Sequence, residues 1–238
     1  MNPDMGSILI VRTGSAPDEI VRERGDFHDW FAAFMPAGMD VETLDLPDGE
    51  RLPDSVVGLA GLILTGSPAM VTDRLDWSLA LEDWLRRHRP ALPPTLAVCY
   101  GHQVLSSALG GRVADNPDGR IIGTRASVRL AKDALFGQLP EHFPVQKSHC
   151  QQVLEPPPGA VALAASVHDP HAAFRLDEHI WSLQFHPEFS AEVTRSYIDV
   201  RSEDIRREGL DPRVLLSSVQ PCEEAENLLH RFGRLCLG

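Results

Sequence analysis

Thr95-Leu96-Ala97-Val98-Cys99-Tyr100-Gly101-His102-Gln103 is the stretch that decides the fold. Its first four residues follow Pro93-Pro94 and read as a short buried strand. Gln103 to Leu109 reads as a helix, and Gly110-Gly111 supplies its stop. Cys99 falls at the junction, on a sharp turn, and Gly101 permits close packing just after it. Open α/β sheets place their ligand crevice at the carboxyl ends of strands. The amino end of a helix favours negative charge. A cysteine at such a junction has two readings. It is a small buried hydrophobe, or it is a thiolate nucleophile beside backbone N–H groups aimed at an oxyanion.

Outward from this element the same alternation continues. Toward the amino end, Ser7-Ile8-Leu9-Ile10-Val11, Val41 to Leu46 and Leu59 to Leu64 read as strands. Met1 to Ser7 reads as a short tail. Asp26 to Phe34 carries Phe27, Trp30, Phe31 and Phe34 at helical spacing, a stripe expected to pack in the core. Trp77 to His88 reads as an amphipathic helix ended by Pro90. Strand and helix in turn imply a mostly parallel sheet covered on both faces. Toward the carboxyl end the character changes. Gly123 to Leu130, Val145 to Ser148, Ala160 to Ala164, Ala172 to Leu176 and Ile180 to Phe185 read as strands without helices between them, hence antiparallel additions. Ala191 to Glu208 and Glu223 to Leu235 read as helices. The expectation is an α/β, flavodoxin-like single domain over 1–238, with a core at about 7–190 and C-terminal helices at about 191–238.

The chain has 238 residues, a formal net charge of -12 and 43% hydrophobic residues. That charge repels nucleic acid and anionic membrane surfaces, so neither is an expected partner. Four cysteines without a C-x-x-C pair argue against a zinc knuckle or a thioredoxin-like motif. No signal peptide and no apolar run of membrane-spanning length is legible. A cytoplasmic protein with reduced thiols is the simplest reading. No Gly-rich phosphate loop and no metal or cofactor motif is present.

Trp181-Ser182-Leu183-Gln184-Phe185 runs into His186-Pro187-Glu188. In extended chain, residues two apart share a face, and Pro187 holds His186 extended. A carboxylate beside an imidazole fixes its tautomer and stabilises the imidazolium. An isolated His-x-Glu is usually a solvated pair at a strand end. With Cys99 upstream, the chain supplies a nucleophile, a base and an orienting acid, each at an expected strand terminus.

These residues carry a resemblance. Cys99-Tyr100-Gly101-His102-Gln103 with His186-Pro187-Glu188 resembles the class I glutamine amidotransferase family, most like the glutaminase domain of GMP synthase and its free-standing homologues. Leu64-Thr65-Gly66-Ser67-Pro68, Asn116 to Gly123, Ser148-His149 and Gln184 to Phe189 support it in the same order. The resemblance implies that Cys99, His186 and Glu188 form a catalytic triad. It implies an oxyanion hole from the backbone N–H groups of Gly66 and Tyr100, and substrate contacts from Gln103, Ser148 and His149. The implied reaction is attack of the Cys99 thiolate on a γ-glutamyl amide, release of ammonia or an amine, and hydrolysis of the thioester to glutamate.

Three departures from the family pattern stand out. Ala97 replaces a usual glycine, Gly66-Ser67-Pro68 replaces Gly-Gly-Pro, and Cys150-Gln151 replaces glycine and aspartate. The last removes a negative charge from where the family holds a substrate α-amino group. The implied ligand is therefore glutamine or another γ-glutamyl small molecule. Three roles stay open: a glutaminase feeding ammonia to a separate synthase subunit, a γ-glutamyl peptidase or hydrolase acting alone, and a silent binding module. No ATP-pyrophosphatase module is expected in this sequence. His168, Asp169 and His171 read as a solvated loop rather than a metal site, and His102 as structural or as a support behind the site. Cys222 and Cys236 read as packing residues, and Cys150 as bordering the pocket.

Overall fold

The computed structural model describes residues 6–238; the expected tail lies, over residues 1–5, outside them. Eleven strands form along the chain: β1 (Ser7–Arg12), β2 (Val41–Asp45), β3 (Leu59–Leu64), β4 (Thr95–Val98), β5 (Arg112–Asp115), β6 (Ile121–Arg129), β7 (His142–His149), β8 (Gln151–Glu155), β9 (Val161–Ser166), β10 (Asp169–Leu176) and β11 (Ile180–Leu183). Nine of them make one sheet in the order β2-β1-β3-β4-β11-β10-β9-β6-β7, and β5 pairs with β8 in a small second sheet. From β2 through β11 every neighbouring pair is parallel. From β11 to β7 every pair is antiparallel. The parallel core and its antiparallel additions are thus both present. β5 and β8 are strands that the sequence reading does not assign.

The helices are α1 (Asp18–Arg24), α2 (Phe27–Ala32), α3 (Asp76–His88), α4 (Tyr100–Ala108), α5 (Ala191–Val200), α6 (Ser202–Arg207), α7 (Pro212–Ser218) and α8 (Glu223–Leu235). Alternation along β1 divides the interior. Leu9 and Val11 pack with Leu81, Trp84 and Leu85 of α3 and Val104 and Leu105 of α4. Ile8 and Ile10 pack on the opposite face with Phe31 of α2 and Leu228, Leu229 and Phe232 of α8. All four residues of β4 are buried, as a strand covered on both faces requires. Cys222 and Cys236 lie in the α8 layer, and burial pushes both thiols up to about 12. Their expected packing role fits.

Two expectations need correction. The helix expected over 191–208 is broken at Arg201, whose ψ of 11° departs from helical geometry, although no glycine or proline marks the place. Asp169 is not in a solvated loop. It opens β10 with its side chain 1% exposed, because the Lys147 ammonium, itself fully buried, compensates its charge at 2.6 Å. His168 is exposed beside Asp118. Among the described residues no cluster of three or more potential metal ligands occurs, and no helix is long and apolar enough to cross a membrane.

Candidate active site

β4 ends at Val98 and α4 starts at Tyr100, so Cys99 alone makes the turn. Its φ of 53° and ψ of -102° lie in a region that non-glycine residues rarely occupy. Two backbone bonds hold it there. The Cys99 N–H donates to Leu183 O at 2.8 Å, and the Cys99 carbonyl accepts from the Gln103 N–H at 3.0 Å. The helix begins three residues before the expected Gln103, close behind the sulfur. A Cβ at Gly101 would stand 2.5 Å from Leu64 O, so only glycine lets α4 come this near β3. The Gly101 N–H donates to Thr65 O at 3.0 Å, which ties the elbow to the loop carrying Gly66.

His186 faces the same cavity as Cys99 and Ser148. β11 ends at Leu183, so His186 is not in the strand. Its N–H donates to Gln146 O at 2.9 Å in an isolated bridge to β7. The chain then turns through Pro187 and brings Glu188 Oε1 to 2.7 Å from His186 Nδ1. The pairing expected from extended-chain alternation is therefore made, but by a turn. Phe189 stacks on the imidazole with centroids 4.0 Å apart, and Phe27 of α2 stands 6.2 Å away. The aromatic stripe of α2 packs as expected and in addition borders the site.

Burial acts to lower the His186 pKa, but the charges of Glu188 and of a Cys99 thiolate outweigh it and push it up to about 10.

Gly66 lies against the same ring. A Cβ there would stand 3.0 Å from Phe27 Cε1 and 3.1 Å from His186 Cε1. Among the described residues, neither the Gly66 nor the Tyr100 N–H donates to a backbone acceptor. The Tyr100 side chain points elsewhere: its hydroxyl is 2.6 Å from Ser78 Oγ, and burial raises its pKa to about 12.

A second cavity adjoins Cys99 and is lined by Gln103, Ser148, His149, Cys150 and Gln151. The thiol of Cys99 lies 3.9 Å from Ser148 O. Gln103 Nε2 donates to Gln151 O at 2.7 Å and to Gln184 Oε1 at 3.1 Å. His149 Nδ1 is 3.0 Å from that same Gln151 carbonyl, and burial drives the His149 pKa down to about 4, so the ring is neutral at pH 7. The Gln151 amide donates to Thr72 Oγ1 and Asp115 Oδ1. Behind this wall His102 is fully buried, with Nδ1 2.8 Å from Ser182 Oγ. All three expected substrate contacts thus line or support one cavity.

A family model described as Glutamine amidotransferase class-I matches residues 31–200. The chain belongs to that family. Among curated relatives it is 32% identical to a GMP synthase from Thermomicrobium roseum over 79% of this chain but 32% of the relative. It thus spans about a third of the length of that synthase. It is 27% identical to gamma-glutamyl peptidase 3 from Arabidopsis thaliana, over 74% of this chain and 73% of that protein. A solved glutamine amidotransferase from Thermotoga maritima shares the fold with a TM-score of 0.74 at 20% identity, over 98% of this chain and 99% of that one.

Within this class I amidotransferase fold, several residues at the site escape sequence reasoning. Tyr197 walls the His186 side of the cavity beside Phe189, whose segment carries the resemblance, and Arg201 lines both cavities. Arg120 lines the second. Arg120 sits in the segment that carries the family resemblance, but Arg201 sits in a helix expected to be continuous. Asp204 stands three residues after it, and nothing in the sequence shows that this acid pairs with Arg207 instead.

Proposed function

We propose that this class I amidotransferase is a cysteine-dependent amidohydrolase acting on a γ-glutamyl amide. One observation carries the reading: a strained cysteine at a strand–helix junction shares a cavity with a histidine clamped by a buried glutamate. The Cys99 thiolate attacks the γ-carbonyl carbon and the carbonyl π electrons move to oxygen. The Gly66 and Tyr100 N–H groups receive that oxyanion; one such donor is worth on the order of a hundredfold or more in rate. The tetrahedral intermediate collapses, the C–N bond breaks, and the His186 imidazolium gives its proton to the departing nitrogen. A γ-glutamyl thioester remains. Neutral His186 then takes a proton from water, the hydroxide adds to the thioester, and glutamate leaves as Cys99 departs as a thiolate. Glu188 holds the tautomer and offsets the charge on His186 throughout.

Gln103, Ser148 and His149 wall the γ-glutamyl side. The leaving group lies toward His186, because that ring must protonate it. Two settings suit this chemistry: ammonia delivered to a separate synthase subunit, and hydrolysis of a conjugated γ-glutamyl compound by the protein alone. A specific observation favours the second. Gln151 stands where the synthase-like pattern has an aspartate, and its amide is already bound to Thr72 and Asp115, so no carboxylate at 151 meets a free α-amino group. The likeness to the peptidase along most of both chains points the same way.

The test is release of glutamate, with ammonia or amine, from glutamine and a panel of γ-glutamyl amides, alone and with cell extract. Hydrolysis of conjugates by the isolated protein supports the peptidase setting. Glutamine hydrolysis that needs extract supports the synthase setting. Release by neither route contradicts the enzyme reading and leaves the binding module.

A further inference from the structure

Arg201 occupies the joint between α5 and α6 and lines both cavities that meet at Cys99. Its Nε is buried and has no hydrogen-bond partner. Nearby arginines are differently placed. Arg195 pairs with Glu192, and Arg207 with Glu203 and Asp204. Both oxygens of Glu208 are taken by Arg120 at 2.7 and 2.8 Å. Among the described residues no carboxylate is left within ion-pairing reach of Arg201. A guanidinium held at a cavity mouth with a buried, unpaired donor lacks an acceptor that the protein does not supply. Its planar fork matches a carboxylate.

We propose that Arg201 is a specificity residue that pairs with a carboxylate of the substrate. This rests on the amidohydrolase reading and narrows it: the acyl donor is an anionic γ-glutamyl compound. Two sources present the same chemistry, the α-carboxylate of the glutamyl group and a carboxylate on the leaving amine. Arg201 lines the same cavity as Cys99, His186 and Tyr197, so the cation lies within the reacting region and not on a distant rim. Neutral glutaryl amides, lacking any such group after esterification, are excluded as good substrates.

The experiment compares wild type, Arg201→Gln and Arg201→Lys on four compounds: glutamine, its α-carboxamide, γ-glutamylglycine and γ-glutamylglycinamide. In wild type, blocking the carboxylate that Arg201 reads lowers kcat/KM by about ten- to a hundredfold, mostly through KM. In Arg201→Gln the same blocking has no effect, and Arg201→Lys restores part of the discrimination. A penalty on the α-carboxamide identifies the glutamyl carboxylate; a penalty on the glycinamide identifies the leaving group. If Arg201→Gln discriminates as strongly as wild type, the assignment of Arg201 is overturned while the amidohydrolase stands. If Arg201→Gln does not fold, undiminished discrimination by Arg201→Lys overturns it equally. If wild type hydrolyses none of the four, the amidohydrolase reading and this inference fall together.

Discussion

His186 Nδ1 lies 2.7 Å from Glu188 Oε1, and both side chains are almost wholly removed from water. A carboxylate so placed sets which ring nitrogen carries the proton and leaves Nε2 free of it. Glu188→Gln keeps the shape and removes the charge. The expected result is a fall in kcat of about a hundredfold or more with the fold retained, read by amide hydrolysis beside circular dichroism. An unchanged rate removes Glu188 from the mechanism.

The same pair links stability to pH. Burial opposes charging of His186, but Glu188 and the Cys99 thiolate prevail and raise its pKa from 6.5 to about 10. A group whose pKa is raised on folding stabilises the fold fully below its unfolded value. That contribution is lost as pH climbs from about 6.5 to about 10. The stability difference between wild type and His186→Asn, from urea unfolding, should shift steadily against wild type across this window. A difference that stays flat from pH 6 to 10 contradicts the raised pKa.

Gly66→Ala tests the loop that faces His186. The added methyl would sit 3.0 Å from Phe27 and 3.1 Å from His186, tighter than normal packing allows. The imidazole or the loop must give by a few tenths of an ångström, and the Gly66 N–H moves with it. Activity is expected to fall about tenfold or more while the melting temperature changes little, since displaced catalytic geometry costs more than local crowding. Kinetics and calorimetry on the same preparation separate the two effects.

Much of this was legible in the chain and some of it was not. The buried strands announce themselves because β1, β3, β4 and β11 carry nearly continuous apolar runs. Cys99 and Gly101 at the end of β4 mark the elbow. The break at Arg201 has no signal in the sequence, because no glycine or proline stands there. Asp169 was misread as solvated because its partner, Lys147, is 22 residues away in sequence and meets it only across the folded sheet. The His186–Glu188 contact was anticipated for a strand and is delivered by a turn. Phe27 reads from its spacing as core, and nothing local says that this core abuts an imidazole.

Lys147 and Asp169 lie beneath the segment that presents Gln146 to His186 and Ser148 to Cys99. Lys147 Nζ is 2.6 Å from Asp169 Oδ2 and 2.8 Å from Ser166 Oγ, with no solvent access. Lys147→Met leaves a lone buried carboxylate and is expected to lower stability by about 3–5 kcal/mol in urea unfolding. Pairing it with Asp169→Asn should recover a substantial part. Equal losses in the single and double variants contradict a compensating ion pair.

The central claim is that Cys99 is the nucleophile. Incubation with a diazoketone analogue of glutamine, followed by intact-mass and peptide mass spectrometry, tests it most directly. The account predicts one adduct, on Cys99, absent from Cys99→Ala and slowed in His186→Asn. An adduct on Cys150 that persists in Cys99→Ala, or no adduct on the wild-type protein, contradicts it.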